Sequence, residues 1–182
     1  TEDYYYTASR MVPYKKMDLI VEAFRHMPDK RLIVGGDGPD YEKIKKIAPK
    51  NVEIRGFLDM NTQVSLTQRA KAFIFAAEED FGIAPIEAQA CGVPVIAFGK
   101  GGALETIIGS FSREERVLQT DTGIFFDKQN VEELIHAIGV FEKNESLFDK
   151  ETIRNQALKF DTKRFEDEFK RTIENIIQNH VF

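Results

Sequence analysis

Two glutamates, Glu79 and Glu87, are separated by seven residues around a tight turn. The turn follows an apolar run (72–77), and the residues after Gly82 have the pattern of a short helix. The first N–H groups of a helix are free and carry a partial positive charge, so they suit a phosphate. Glu87 would lie one turn into this helix, within reach of a ligand bound there. The stretch alone leaves open the alternative that the acids are solvated and Glu87 only stabilises the helix dipole.

Three other loops carry residues that suit the same ligand. Arg10 and Lys15 flank the loop after the first apolar run, and two cations can hold a diphosphate. Glycines dominate the loops at 35–38 and 99–102, and Glu105 follows the second of these. Glycine lets the backbone approach a ligand closely, and a helix carboxylate can accept hydrogen bonds from ribose hydroxyls. Each feature also occurs in ordinary turns, but the joint occurrence indicates a site for a nucleoside diphosphate.

Short apolar runs alternate with helical patterns, which is typical of a parallel sheet covered by helices on both faces. The predicted strands are 4–8, 31–34, 52–55, 72–76, 95–98 and 123–126. We therefore predict an α/β fold, a doubly wound parallel sheet of about six strands, with no clear pattern at 109–122. Because the carboxyl ends of parallel strands meet at one edge, the loops described above would converge on one cleft.

The 182 residues are enough for one domain with a sizeable core, and the pattern predicts a helical tail from about residue 150 to 182. Phe165 and Phe169 begin an apolar stripe in this tail. We expect the stripe to pack on the domain's own core, and a docking face for another domain is the alternative. Because a strand pattern starts close to Thr1, we expect the chain to be a piece of a longer protein.

Composition excludes several classes of protein. A net charge of -5 argues against a general nucleic-acid binder. A single cysteine, Cys91, rules out an intrachain disulfide. No apolar run is long enough to cross a bilayer. The chain therefore has the composition of an ordinary globular domain.

The ordered motifs resemble those of one known family. Glu79 and Glu87 have the spacing of the paired glutamates in retaining glycosyltransferases of the GT-B fold, glycosyltransferase family 4. Other segments that match are Ser9-Arg10-Met11-Val12-Pro13-Tyr14-Lys15-Lys16, Gly36-Asp37-Gly38-Pro39, Phe81-Gly82-Ile83, Cys91-Gly92-Val93-Pro94-Val95, Gly101-Gly102 with Glu105, and 160–165. The chain is therefore similar, over nearly its whole length, to the C-terminal nucleotide-sugar-binding half of such an enzyme, a Rossmann-like domain.

The resemblance implies a role for each site residue. Arg10 and Lys15 would grip the donor diphosphate, and Glu79 would lie beside the transferred sugar and its leaving phosphate. Glu87 would hold the donor ribose. The other donor-binding positions that it implies are Gly36, Leu58, Met60, Phe81, Gly82, Ile83 and Ala84, with the backbone near Leu58 and Met60 framing the base. No metal is implied, because the cations and the helix start can stabilise the departing diphosphate.

Two positions depart from the commoner family pattern. Tyr14-Lys15-Lys16 replaces an acidic-Lys-Gly sequence, and Pro85 lies in the first turn of the site helix, where proline is tolerated. The Tyr-Lys-Lys form looks most like bacterial mannosyltransferases. The resemblance thus implies a hexosyltransferase that uses GDP-mannose, with a UDP-sugar as the second choice and no cofactor.

The same resemblance implies the setting of the reaction. The acceptor would be a glycan or a lipid-linked sugar, bound by an N-terminal domain that this chain lacks, so the isolated domain would be inactive. The full-length protein would be cytoplasmic, or peripheral at the inner face of the membrane, and would serve bacterial surface polysaccharide synthesis.

Three other functions fit the sequence less well. A non-catalytic nucleotide-sugar-binding module of the same fold is the main alternative, and the complete set of cations and glutamates argues against it. A dinucleotide-dependent oxidoreductase would need a glycine fingerprint after the first strand, and a phosphate-loop NTPase would need Gly-Lys-Ser or Gly-Lys-Thr. The sequence has neither. His26, His136 and His180 have no metal-ligand spacing.

Overall fold

Seven parallel strands form one sheet in the computed structural model, which describes residues 2–179. The strands are β1 (Tyr5–Ala8), β2 (Leu32–Gly35), β3 (Val52–Gly56), β4 (Phe73–Phe75), β5 (Val95–Phe98), β6 (Gly109–Phe111) and β7 (Gly123–Phe126). Their order in the sheet is β3-β2-β1-β4-β5-β7-β6. The chain order reverses between β1 and β4, so the carboxyl ends of these two strands form a topological switch point, where α/β sheets bind ligands.

Helices cover both faces of this sheet. In the described residues they are α1 (Met17–Arg25), α2 (Tyr41–Ile47), α3 (Met60–Arg69), α4 (Ile83–Ala90), α5 (Ala103–Thr106), α6 (Val131–Asn144), α7 (Lys150–Ala157) and α8 (Thr162–Asn179). α1, α2 and α6 cover one face of the sheet, α3, α4 and α5 cover the other, and α7 packs on α4. The central strands are buried on both faces, which explains their continuous apolar sequences and confirms the predicted doubly wound α/β fold.

Successive side chains of β1 point to opposite faces of the sheet, as a strand requires. The Tyr5 ring packs edge-on against Phe24 and Phe141 on the face covered by α1 and α6. The Tyr6 ring packs edge-on against Phe73 on the other face, beneath α3 and α4. β1 thus supplies an aromatic side chain to each of the two hydrophobic cores.

The sheet has one strand more than the sequence predicts. β6 is only three residues long and lies at the edge of the sheet, paired with β7. The buried carboxylate of Asp121 holds this segment in place, because it accepts hydrogen bonds from the Ser110 hydroxyl (2.8 Å) and the Leu118 N–H (2.9 Å). Contacts between distant residues, not local apolar patterning, therefore define β6.

The expected packing of the apolar stripe of α8 on the domain's own core is wrong, whereas α7, the first helix of the predicted tail, packs on α4. The side chains of Phe165 and Phe169 on α8 are 65% and 55% exposed, and the rest of the apolar stripe is exposed as well. The turn Leu158–Phe160 provides the main contact between α8 and the rest of the domain. The end of the predicted tail, residues 180–182 with His180, lies outside the described residues. None of the described helices has the length and apolarity needed to span a membrane.

Candidate functional site

A cleft of about 1480 Å³ opens at the carboxyl ends of β1 and β4, at the switch point of the sheet. The predicted site residues that line it are Arg10, Lys15, Gly36, Met60, Glu79, Phe81, Gly82, Ile83, Ala84 and Glu87. Leu58 does not line the cleft, because its side chain packs against the hydrophobic core below. Phe57, its exposed neighbour, lines the cleft instead. The fold therefore brings all the predicted site residues except Leu58 to one concave surface.

The glycine loop after β2 supports the loop that carries Arg10. Gly36 has a φ of +113°, which favours glycine, and a Cβ atom there would overlap the carbonyl oxygen of Ser9. The Met11 N–H donates a hydrogen bond to the Asp37 carbonyl oxygen at 2.9 Å. These close contacts hold the two loops together and leave Arg10 exposed at the cleft. Arg10 makes no ion pair with any of the residues that the structure describes.

A short 3₁₀ turn, Pro13–Lys15, places the Lys15 side chain in the cleft. The turn ends at Lys16, which has a φ of +55° and is the N-cap residue of α1. This is the position where the commoner family pattern has glycine, and the left-handed backbone explains that preference. Lys16 thus adopts a backbone conformation that costs lysine more free energy than it would cost glycine.

Lys15 and Glu79 form an ion pair in the cleft, between Nζ and Oε1. Their side chains are only 16% and 19% exposed. Burial lowers the pKa of the Lys15 amino group, because water solvates its charged form less well there. The cation predicted to bind diphosphate and the carboxylate predicted to lie beside the sugar are therefore in direct contact.

The start of α4 faces the cleft and is open to an anion. Gly82 precedes the helix with a φ of +81°, and no side chain caps the first turn. Ile83 and Ala84 occupy the first two helical positions, where backbone N–H groups have no intrahelical partner. Pro85, which lacks an N–H, lies in the same turn, as predicted. These N–H groups and the positive end of the helix dipole can bind a phosphate.

Glu87 lies one turn further along α4 and lines the same cleft. Burial raises the pKa of its carboxyl group, because the charged form loses solvation. Cys91 follows one turn later, and burial and the charge of Glu87 raise the pKa of its thiol while Arg154 opposes the increase. Arg154 comes from α7 and lines this end of the cleft too. No sequence pattern indicates Arg154, since only the packing of α7 on α4 brings it there.

The acidic loop after β4 is attached to the loop after β5. Glu79 forms a parallel bridge with Gly101, and the Gly102 N–H donates to the Glu79 carbonyl oxygen at 2.7 Å. A salt bridge of 3.0 Å joins Glu78 to Lys100 in the same two loops. The glycine pair therefore supports the acidic loop from below. Glu105, which was predicted to belong to the site together with this glycine pair, is exposed and does not line the cleft.

Neither geometry nor composition suggests a metal centre in the part of the chain that the structure describes. No group of three or more histidine, cysteine, aspartate or glutamate side chains there has an arrangement that would hold a metal ion. His26 and His136 lie at the surface beside Glu22 and Glu115.

The chain matches a family model described as "Glycosyl transferases group 1" over residues 1–159. A GDP-mannose-dependent monoacylated alpha-(1-6)-phosphatidylinositol monomannoside mannosyltransferase from Corynebacterium glutamicum is 34% identical over 114 residues, or 54% of this chain and 30% of the relative. A GDP-mannose-dependent alpha-(1-6)-phosphatidylinositol monomannoside mannosyltransferase from Mycolicibacterium smegmatis is 32% identical over 151 residues, or 72% of this chain and 36% of the relative. The chain thus spans about a third of the length of these curated relatives.

Solved structures show the same fold. Sucrose-phosphate synthase from Thermosynechococcus elongatus superposes with a TM-score of 0.79 at 20% identity, covering 98% of this chain and 46% of that chain. A glycosyltransferase from Rickettsia africae also gives a TM-score of 0.79, at 22% identity, with 98% and 49% covered. The fold is one Rossmann-like half of a GT-B glycosyltransferase. With the family model matched along most of its length, the chain belongs to the glycosyl transferases group 1 family.

Proposed function

We propose that this chain is the donor-binding half of a retaining hexosyltransferase that takes mannose from GDP-mannose. The observation that carries the proposal is the cleft itself. Two cations, Arg10 and Lys15, an uncapped helix start and the carboxylate of Glu87 surround one space at the switch point of the sheet. The named relatives that use GDP-mannose favour this donor over a UDP-sugar.

The donor would lie along the cleft with its diphosphate between Arg10, Lys15 and the start of α4. The ribose would then lie one helical turn further along, where the Glu87 carboxylate accepts hydrogen bonds from its hydroxyls. The base would lie towards α3, beside the exposed side chains of Phe57 and Met60. Glu79 would lie beside the sugar. No cofactor or metal is needed in this arrangement, because fixed positive groups face the position where the departing diphosphate gains charge.

The acceptor would be a glycan or a lipid-linked sugar held by a domain outside this chain. Transfer requires that the acceptor meet the reacting carbon of the sugar in a closed cleft, so we expect the isolated domain to bind the donor and transfer nothing. In the full-length protein we propose a cytoplasmic location, or a peripheral one at the inner face of the membrane, and a role in bacterial surface polysaccharide synthesis.

Titration calorimetry with GDP, UDP and ADP tests the proposed donor. We expect GDP to bind most tightly and UDP next, and Arg10→Ala to weaken binding of all three because it removes a diphosphate contact. Arg31→Ala is the matched control, since Arg31 pairs with the half-buried Glu53 at the other end of β2 and lies outside the cleft. A folded chain that binds none of the three nucleotides would refute the proposed function.

Steady-state kinetics of the full-length protein would separate the two glutamates. A contact to the ribose changes little during reaction, so Glu87→Gln should raise KM for the donor with a small effect on kcat. A contact at the reacting sugar acts in the transition state, so Glu79→Gln should lower kcat. The opposite pattern would refute these two roles.

A further inference from the structure

The three consecutive tyrosines at the start of the sheet differ in how their hydroxyl groups are satisfied. The Tyr4 hydroxyl donates to the Leu66 carbonyl oxygen at 2.7 Å, and the Tyr5 hydroxyl donates to Glu142 Oε1 at 2.8 Å. Tyr6 is only 1% exposed, and its hydroxyl has no hydrogen-bond partner among the described residues. A buried polar group without a hydrogen-bond partner lowers the stability of the folded state, so this hydroxyl is a candidate for a role in ligand binding.

Tyr6 lies at the floor of the donor cleft. Its ring packs edge-on against Phe73, with 5.9 Å between the ring centroids, and this contact fixes the direction of the side chain. The hydroxyl lies at the end of β2, because a Cβ atom on Gly35 would be 2.7 Å from the hydroxyl oxygen and 3.1 Å from Leu58 Cδ1. It therefore lies between β2 and the loop after β3, the loop that carries Phe57 and leads into α3.

The position of this hydroxyl differs from that of the other polar groups in the cleft. Arg10, Lys15 and the start of α4 surround the space for the diphosphate, and Glu87 lies one turn along α4. The hydroxyl instead lies towards the loop before α3, which carries Phe57. Burial raises the pKa of Tyr6 to about 12, so the hydroxyl keeps its proton at neutral pH and can donate it.

We propose that the Tyr6 hydroxyl forms a hydrogen bond with the base of the nucleotide donor. The inference rests on the proposed function and adds to it a residue that recognises the base directly through a side chain. A base offers ring nitrogens and exocyclic oxygens as acceptors, and a phenol can donate to either. Donor binding would supply a hydrogen-bond partner for this buried hydroxyl.

The substitution Tyr6→Phe isolates the hydroxyl, because it removes one atom and keeps the aromatic packing on Phe73. Binding of GDP and of inorganic pyrophosphate to the 182-residue chain should be measured by calorimetry for the wild type and the variant. The net contribution of one hydrogen bond corresponds to about three- to tenfold weaker GDP binding. Pyrophosphate lacks a base, so its affinity should not change.

Thermal unfolding without nucleotide provides a second measurement. Tyr6→Phe removes an unpaired hydroxyl, so its Tm should equal or exceed that of the wild type. Tyr4→Phe is the matched control: it breaks the hydrogen bond to the Leu66 carbonyl and should lower the Tm. A lower Tm for Tyr6→Phe would mean that the hydroxyl has a structural partner, which would overturn the inference.

The binding results separate this inference from the proposed function. If the wild type binds GDP and Tyr6→Phe binds it equally well, the base contact is wrong and the proposed function stands. Equal weakening of GDP and pyrophosphate would show that Tyr6 acts through the shape of the cleft, which also overturns the base contact. If the folded wild type binds no nucleotide, the proposed function itself fails.

Discussion

Neutralising Glu79 should strengthen the binding of GDP to this chain, even though we expect it to slow sugar transfer in the full-length protein. The Glu79 carboxylate pairs with Lys15, the cation that we propose binds the diphosphate. Exposed ion pairs contribute about 0.2–1 kcal/mol, and the low exposure of both side chains makes this pair stronger than an exposed one. We therefore expect Glu79→Gln to improve the binding free energy by about 1–2 kcal/mol, or about five- to thirtyfold in Kd.

Calorimetry of GDP binding in low and high salt would measure this effect. Lys15→Met should weaken GDP binding, because it removes the cation instead of freeing it. Glu105→Gln is the control for a simple change of net charge, since Glu105 is exposed and lies outside the cleft. Weaker binding of GDP to Glu79→Gln would refute the reasoning, because it would mean that the carboxylate orients Lys15 or contacts the nucleotide itself.

Three further predictions concern stability. Lys16→Gly should raise the free energy of unfolding in urea by about 0.5–1 kcal/mol, because glycine adopts the φ of +55° without strain, whereas Lys16→Ala should bring no such gain. Because the pKa of Glu87 is raised, the native state keeps a proton that the unfolded state has lost, so the stability of the wild type should fall as pH rises above the unfolded pKa of about 4.3. Glu87→Gln should remove that fall. If the stability of the wild type and of the variant shows the same dependence on pH, this prediction is wrong. Phe165→Ser and Phe169→Ser should each change the stability of the domain by less than about 0.5 kcal/mol, because both side chains are exposed, and a larger loss would mean that the stripe packs on the core in solution.

Most of the fold could be predicted because the central strands are buried on both faces. Such strands are continuous apolar runs, and the glycine and charged residues that follow them mark the loops at the carboxyl edge. Those loops contain nearly all the predicted site residues, so the cleft followed from the strand assignment. The roles of Glu79 and Glu87 stay predictions, since the structure gives the positions of these side chains and not their contacts to a substrate.

The features that were missed depend on contacts between residues distant in sequence. β6 forms only because it pairs with β7 and because Asp121 binds its neighbours. Arg154 reaches the cleft through the packing of α7 on α4. The α8 stripe was predicted correctly as an apolar helix face, but its packing was not. Residue spacing shows that one face of a helix is apolar and does not show what that face contacts.

The attachment of the acidic loop to the glycine loop has a consequence for engineering. A Cβ atom on Gly102 would overlap the carbonyl oxygen of Asp80, and Gly101 bridges Glu79, so neither segment can change its path alone. A screen for loss of transfer would recover substitutions at Gly102, although that residue does not line the donor cleft. An engineered change of donor preference would therefore have to replace the acidic loop and the glycine loop together, although twenty-odd residues separate them in sequence.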